Sequence, residues 1–401
     1  SEQKQFLFFP TVEDGFSGQV VVNTMNHRKE SFDTEYGAKA TLDAAKHSTI
    51  HVQAVHPEDN VGTNLADELT PLNYYTILSD EEPASVYTNA NLRSFRITQP
   101  LQINMENDSL HMRFYSPVGI KEVTVMAKSP TMDEYVEFVY IDDIPAFADI
   151  KTSIKVLEKG LYRTESGKIQ QLSAEEINPA SLSLKISCND PYWTKISQIK
   201  AKWYIKFVLN GGNPVTGTPN KNWWGIRPVH CREAVALYLN IGYMCTLEKF
   251  QQRVSTFQGT LLDNNRYPVV TSTLISRLEN LSGFDIGLIY SGNGVSGLGG
   301  GRTWGVYQKS FLYHYENSGG CCSTIFHELG HCLGYNHNST MTYGKWASGC
   351  ADVFYKNNIK DFPVNSHTIL KSRRIPISTN NYETFVCYYI CIIFNTLHRM
   401  L

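Results

Sequence analysis

Three histidines at short spacing dominate the chemistry that this chain can offer. His327 and His331 stand four residues apart. On a helix of about 3.6 residues per turn, that spacing stacks two imidazoles on one face, where both can share a single cation. Glu328 follows His327 directly and is displaced around the helix, beside the metal rather than bound to it. A carboxylate so placed suits a general base acting on an activated water. Gly334 can take the left-handed conformation that ends a helix, so the chain can turn and bring His337 back towards the pair. Three histidines leave the fourth tetrahedral position of a zinc ion for water, as a catalytic rather than structural site requires. Zinc would lower the pKa of that water from about 15.7 towards about 7 and polarise a carbonyl oxygen.

The stretch from His327 to His337, HELGHCLGYNH, resembles the zinc signature of the metzincin clan of metallopeptidases. The clan also carries a methionine turn beyond its third histidine. Ser339-Thr340-Met341-Thr342-Tyr343 is similar to the S-x-M-x-Y form of astacin-like and serralysin-like enzymes. By that resemblance Met341 is the hydrophobic floor under the metal. Tyr343 is the tyrosine that approaches the zinc and stabilises the transition-state oxyanion. Met341 follows His337 by only four residues, a shorter connection than most of the clan has. The clear resemblance covers His327 to Tyr343 and implies a zinc-dependent endopeptidase acting on protein or glycoprotein substrates. In that family an edge strand of the sheet lines the substrate cleft. Gly305 to Phe311 precedes the zinc helix and is the predicted strand for that role.

Such a site needs a scaffold, and the texture of the chain changes after Asn189-Asp190-Pro191. Beyond it, Ala234, Leu237, Tyr238 and Ile241 recur at helical spacing, with Pro228 as a start. Ser272 to Leu281 is a second predicted helix, Phe284 to Tyr290 a buried strand, and Ser291 to Gly301 a glycine-rich loop near the cleft. The double glycine Gly319-Gly320 breaks the chain before the zinc helix. Upstream, the pattern is that of strands. Leu110, Met112 and Phe114 alternate with polar neighbours, Val123, Val125 and Ala127 repeat the pattern, and Tyr135 to Ile141 is a third run. Gln19 to Asn23 and Ile50 to Val55 are further candidates, with Pro57 to Pro71 read as loop.

The expected architecture is multidomain: an N-terminal β-rich region (an Ig-like β-sandwich), then an α+β, metzincin-like zinc peptidase domain. The boundaries are 1–84 for an N-terminal β-rich region, 85–190 for the sandwich, and 191–401 for the catalytic domain with its hydrophobic tail.

Composition excludes several classes. The 401 residues are 42% hydrophobic and 18% charged, which excludes wholesale disorder. A formal charge of −2 provides no basic field for nucleic acid. The longest apolar run, Phe385 to Phe394, is about half of what a transmembrane helix needs. Nine cysteines in a chain of this length do not make a small disulfide scaffold, and no C-x-x-C pair occurs. Cys332 is read as a structural thiol or as half of a disulfide with Cys321, Cys322 or Cys350. Gly292-x-Gly294-x-x-Gly297 matches the dinucleotide fingerprint only formally, because Leu298-Gly299-Gly300-Gly301 is a poor helix start. His230 and His314 read as packed or surface groups rather than ligands, Trp223-Trp224 as core ahead of a sugar-stacking surface, and Asn338-Ser339-Thr340 as a turn rather than a glycosylation acceptor. The chain begins at Ser1 without an initiator Met, which with the family analogy suggests a secreted, cell-surface or periplasmic protein. The competing function is an adhesion or binding protein whose zinc domain is silent; an intact Glu328 argues against it, because a purely structural site does not need that carboxylate.

Overall fold

The computed structural model describes residues 83–365 except 108, 155, 157, 308–309, 312–313 and 315–320, together with the short stretches 11–12, 16–17, 50–53, 71–72 and 75–78. The predicted strand at 19–23, the loop at 57–70, the double glycine at 319–320 and the apolar tail from Phe385 lie outside the described residues.

The first half is β-rich. Strands β1 (Thr11–Val12) and β2 (Phe16–Ser17) pair antiparallel. Next come β3 (Ile50–Gln53), β4 (Pro71–Leu72) and β5 (Tyr75–Thr76), then a short helix, α1 (Ala84–Tyr87), and β6 (Ser94–Arg96). They are followed by β7 (Leu101–Glu106), β8 (Ser109–Phe114), β9 (Ile120–Lys128), β10 (Val136–Ile144) and β11 (Ala148–Ser153). A hairpin of β12 (Lys159–Arg163) and β13 (Ile169–Ser173) precedes β14 (Ser183–Cys188).

Two antiparallel sheets result, one ordered β14-β9-β10-β3-β4 and the other β5-β11-β8-β7. The alternation read in the sequence is real: Leu110, Met112 and Phe114 are buried while His111 and Arg113 are partly exposed. Asn107, at φ 56°, makes the tight turn between β7 and β8 in the left-handed region that asparagine tolerates. The sheets do not respect a boundary at residue 84, because β3, β4 and β5 are built into them.

The second half is α+β. Helix α2 (Pro191–Ile196) starts where the texture changes: the Asp190 carboxylate accepts the Tyr192 and Trp193 amides, and Pro191 occupies the first turn. The chain continues through β15 (Tyr204–Phe207), β16 (Trp223–Trp224), α3 (Pro228–Thr246), α4 (Glu248–Ser255) and α5 (Thr271–Glu279). It ends with β17 (Gly283–Ile289), β18 (Gly297–Gly300), β19 (Thr303–Val306), α6 (Cys321–Cys332), a π-type helical segment at Lys345–Asp352, and α7 (Val353–Asn358).

The sheet of this half runs β18-β19-β17-β15-β6, with β16 paired to the end of β17. Strands β15, β17 and β19 are mutually parallel, and β17 is buried along nearly its whole length, as a strand covered on both faces must be. Trp304 packs edge-on against Tyr238 of α3, at 4.9 Å, and against Phe284 of β17, at 4.7 Å. One strand comes from the other half: β6 pairs antiparallel with β15, so a segment assigned to the sandwich completes the sheet of the site.

Two expectations are corrected. The stretch 305–311 is not the edge strand. Strand β19 covers 303–306 and lies inside the sheet, between β17 and β18. The edge is β18, inside the stretch read as a glycine-rich loop, and it runs antiparallel to β19. No helix of the described residues is long and apolar enough to cross a membrane.

Candidate metal centre

Helix α6 carries His327, Glu328 and His331 and packs on β18 and β19. It ends as the sequence implies. Gly334 adopts φ 89°, its amide donates to His331 O at 2.9 Å, and the Tyr335 amide donates to Gly330 O at 3.1 Å. This pair of bonds is a Schellman ending, and it reverses the chain at the point where His337 must return. The small residue at 330 has a separate purpose: a Cβ there would lie 2.5 Å from Met341 O, so the methionine turn passes directly against the helix.

The three imidazoles converge. His331 Nε2 lies 3.1 Å from His327 Nε2 and 3.0 Å from His337 Nε2, and the three rings form a group that can hold a metal ion. Each of the first two is oriented from behind. His331 Nδ1 faces Tyr335 O at 2.7 Å, which leaves Nε2 with its lone pair free to bind. His327 hydrogen-bonds to the backbone of Thr342. Burial, then the neighbouring His331, holds the His327 pKa down at about 4, and burial lowers that of His331. Both rings are therefore neutral near pH 7, the form that binds metals.

Glu328 is only 3% exposed, and Oε1 lies 4.0 Å from His327 Nε2. Its carboxylate is pressed against the edge strand. A Cβ on Gly297 would fall 2.2 Å from Oε1, and one on Gly299 would fall 2.7 Å from Oε2. The glycines of β18 thus make the space that a buried carboxylate occupies beside the three histidines. Burial pushes the Glu328 carboxyl up to about 7, the range needed by a group that must both take and return a proton near neutrality.

Met341 is fully buried. Tyr343 is 53% exposed, with its ring 4.7 Å from that of His327 and 5.2 Å from that of His337. All the residues singled out in the sequence, His327, Glu328, His331, Gly334, His337, Met341 and Tyr343, are therefore gathered at one place.

Two residues that no motif announced hold this arrangement. Asn264 clamps the turn after the helix: its Nδ2 donates to Gly334 O at 3.0 Å, and its Oδ1 accepts the Asn336 amide at 2.7 Å. Arg277 of α5 donates to Tyr335 Oη at 2.6 Å and to Leu333 O at 3.2 Å. A cation at the exposed carbonyls of a helix C-terminus opposes the helix dipole. Here it also fixes the residue whose carbonyl holds His331. Replacing Arg277 with Met is expected to weaken metal affinity by about 10–100-fold, the usual effect of losing a supporting contact. Competition with a chromophoric chelator measures this; unchanged affinity would show that Tyr335 is held without it.

Other candidates resolve differently. Cys332 is reduced; its thiol donates to Thr303 O at 3.2 Å, and burial raises its pKa to about 12. It is neither a nucleophile nor half of a disulfide. Cys350 is also a free thiol. The His230 ring accepts the Arg227 amide at 3.1 Å and starts α3, and the His314 ring bonds Tyr355 Oη at 2.9 Å. Both are buried structural groups. Trp223 lies over Gly287 and Gly305, where its ring fills the room that side chains would take. The dinucleotide-like glycines lead into β18, not a helix, so no helix N-terminus faces a phosphate there.

No family model, curated protein or solved structure matches this chain.

Proposed function

We propose that the protein is a zinc-dependent endopeptidase of metzincin type, with His327, His331 and His337 as ligands. The observation that carries the reading is the convergence of three imidazoles beside a buried carboxylate. Two ligand nitrogens on a tetrahedral zinc, each at about 2.0–2.1 Å, stand about 3.3–3.4 Å apart. The observed separations of 3.0 and 3.1 Å are close to that edge.

When bound, zinc would act as a Lewis acid that acidifies a water molecule and polarises the scissile carbonyl. Glu328 takes a proton from the attacking water and delivers it to the departing amine. Its burial, and so its raised affinity for a proton, supports that double use. Tyr343, exposed and next to two ligand rings, supplies a hydroxyl towards the developing oxyanion. Strand β18 presents the outer edge of the sheet beside Glu328, where an extended peptide can add as a further antiparallel strand. The two antiparallel sheets of the first half serve in this reading as an Ig-like sandwich that places the catalytic half against a protein or glycoprotein substrate.

The test is incubation of the zinc-loaded protein with a peptide library, with and without a chelator, and mass mapping of the fragments. Cleavage that the chelator abolishes and added zinc restores is expected. A fully loaded protein that leaves every peptide intact would end the proposal.

A further inference from the structure

Beside His337 the surface dips into an open depression of about 530 Å³, lined by Asn264, Asn265, Arg266, His337 and Asn338. Its floor is made by the loop that joins α4 to α5, and that loop is unusually well fixed. Asp263 Oδ1 accepts the amides of Asn265 at 2.8 Å and Tyr267 at 2.9 Å, and Asp263 N donates to Tyr267 O at 2.8 Å. Leu262 is tied to Thr340 in both directions, through its amide to Thr340 Oγ1 at 2.7 Å and its carbonyl to the Thr340 amide at 3.0 Å. The loop is thereby attached to the methionine turn of the metal centre.

At its tip Arg266 has φ 69°. That conformation is strained for a residue with a long side chain, and glycine or asparagine takes it more cheaply. The arginine is nonetheless there, with Nη1 anchored on Asn338 O at 2.9 Å. One carbonyl uses a small part of a five-donor fork. The carboxylates nearby do not compete for the rest. Asp263 is turned onto its own loop amides and does not line the depression, and Glu328 is buried against β18. A planar cation, anchored through one nitrogen beside His337 with donors to spare, suits a carboxylate.

We propose that Arg266 forms a carboxylate-binding subsite, which selects substrates carrying an acidic group on the His337 side of the scissile bond. This rests on the peptidase reading for its place in catalysis, though not for the binding itself. The carboxylate can be an acidic side chain or the chain end of a short product-like peptide.

The experiment separates these sources. Peptide pairs that differ only by Glu against Gln at one position, and pairs with a free or amidated C-terminus, are given to the zinc-loaded wild type and to Arg266→Met. The expected wild-type preference in kcat/KM is about 10–100-fold for Glu over Gln at positions on one side of the cut, falling to about one in Arg266→Met. A preference confined to free C-termini, and lost in the same variant, assigns the subsite to the chain end. Fluorescence anisotropy of the same labelled peptides on the zinc-loaded Glu328→Gln protein, with and without Arg266→Met, reads the preference without turnover. Absent hydrolysis by the zinc-loaded wild type, with selective binding, then sinks the peptidase reading alone. Equal binding of all pairs, or a preference that survives Arg266→Met, overturns the subsite. Should Arg266→Met melt below the assay temperature, Arg266→Gln, which keeps a donor for Asn338 but removes the charge, decides on the same ratio.

Discussion

Glu328→Gln is expected to keep its full complement of zinc and to lose peptide hydrolysis by at least about 100- to 10,000-fold, the contribution of a positioned general base. The substitution is a clean one here. The side chain lies in a slot made by Gly297 and Gly299, and the nearest approach of a Cβ on either glycine would be to Glu328 itself. Glutamine has the same shape, so it fills that slot without a cavity or a clash. Alanine would leave the slot empty against the edge strand, and its effect would mix lost chemistry with altered packing. What glutamine lacks is the capacity to take a proton. The nitrogens that can hold a metal are on His327, His331 and His337, so this substitution removes none of them. Elemental analysis and a fluorogenic peptide assay on the same sample give both quantities. Retained zinc with undiminished cleavage would show that another group moves the proton.

The centre was legible in the sequence because its geometry is local. Two histidines four apart on a helix must share a face, whatever the rest of the chain does. Gly334 reverses the chain within three residues of His337, so the third ring is also fixed by short-range rules. The alternation in β8 was legible for the same reason: a strand with one face buried writes its period into its composition.

What was not legible depends on distant partners. Strand β18 consists of Gly297-Leu298-Gly299-Gly300, a composition with poor strand propensity. It is a strand because β19 pairs with it and because Glu328 leaves no room for side chains on that face. Glycine there records the close approach of a helix, and a single sequence cannot distinguish this from a loop. Nor could local pattern place Ser94–Arg96 beside Tyr204–Phe207, since that pairing joins segments on either side of strands β7 to β14. Asn264 and Arg277 were missed likewise: they act on the turn at 334–336 from elements far upstream, and no spacing rule connects them to it.

His331→Ala is expected to abolish stable metal binding while leaving the helix intact. His331 Nε2 lies 3.1 Å from His327 Nε2 and 3.0 Å from His337 Nε2, so this ring sits between the other two in the triad. Its removal leaves two imidazoles and no third protein ligand, below the three that a catalytic zinc site uses. The loss should therefore exceed the 10–100-fold expected for Arg277→Met, which removes only support. Unfolding is not the route to that loss. His331 is half-buried at the open face, and alanine is the better helix former. The bond lost from Nδ1 frees Tyr335 O, but the Tyr335 amide still closes the helix end on Gly330. Thermal melts with and without zinc separate the two cases. A ligand that binds only the folded state raises the wild-type Tm, by an amount that grows with the logarithm of its concentration over Kd. The variant should melt near the metal-free wild type and show no rise when zinc is added. A zinc-dependent rise of wild-type size in His331→Ala would mean that the cation is held elsewhere.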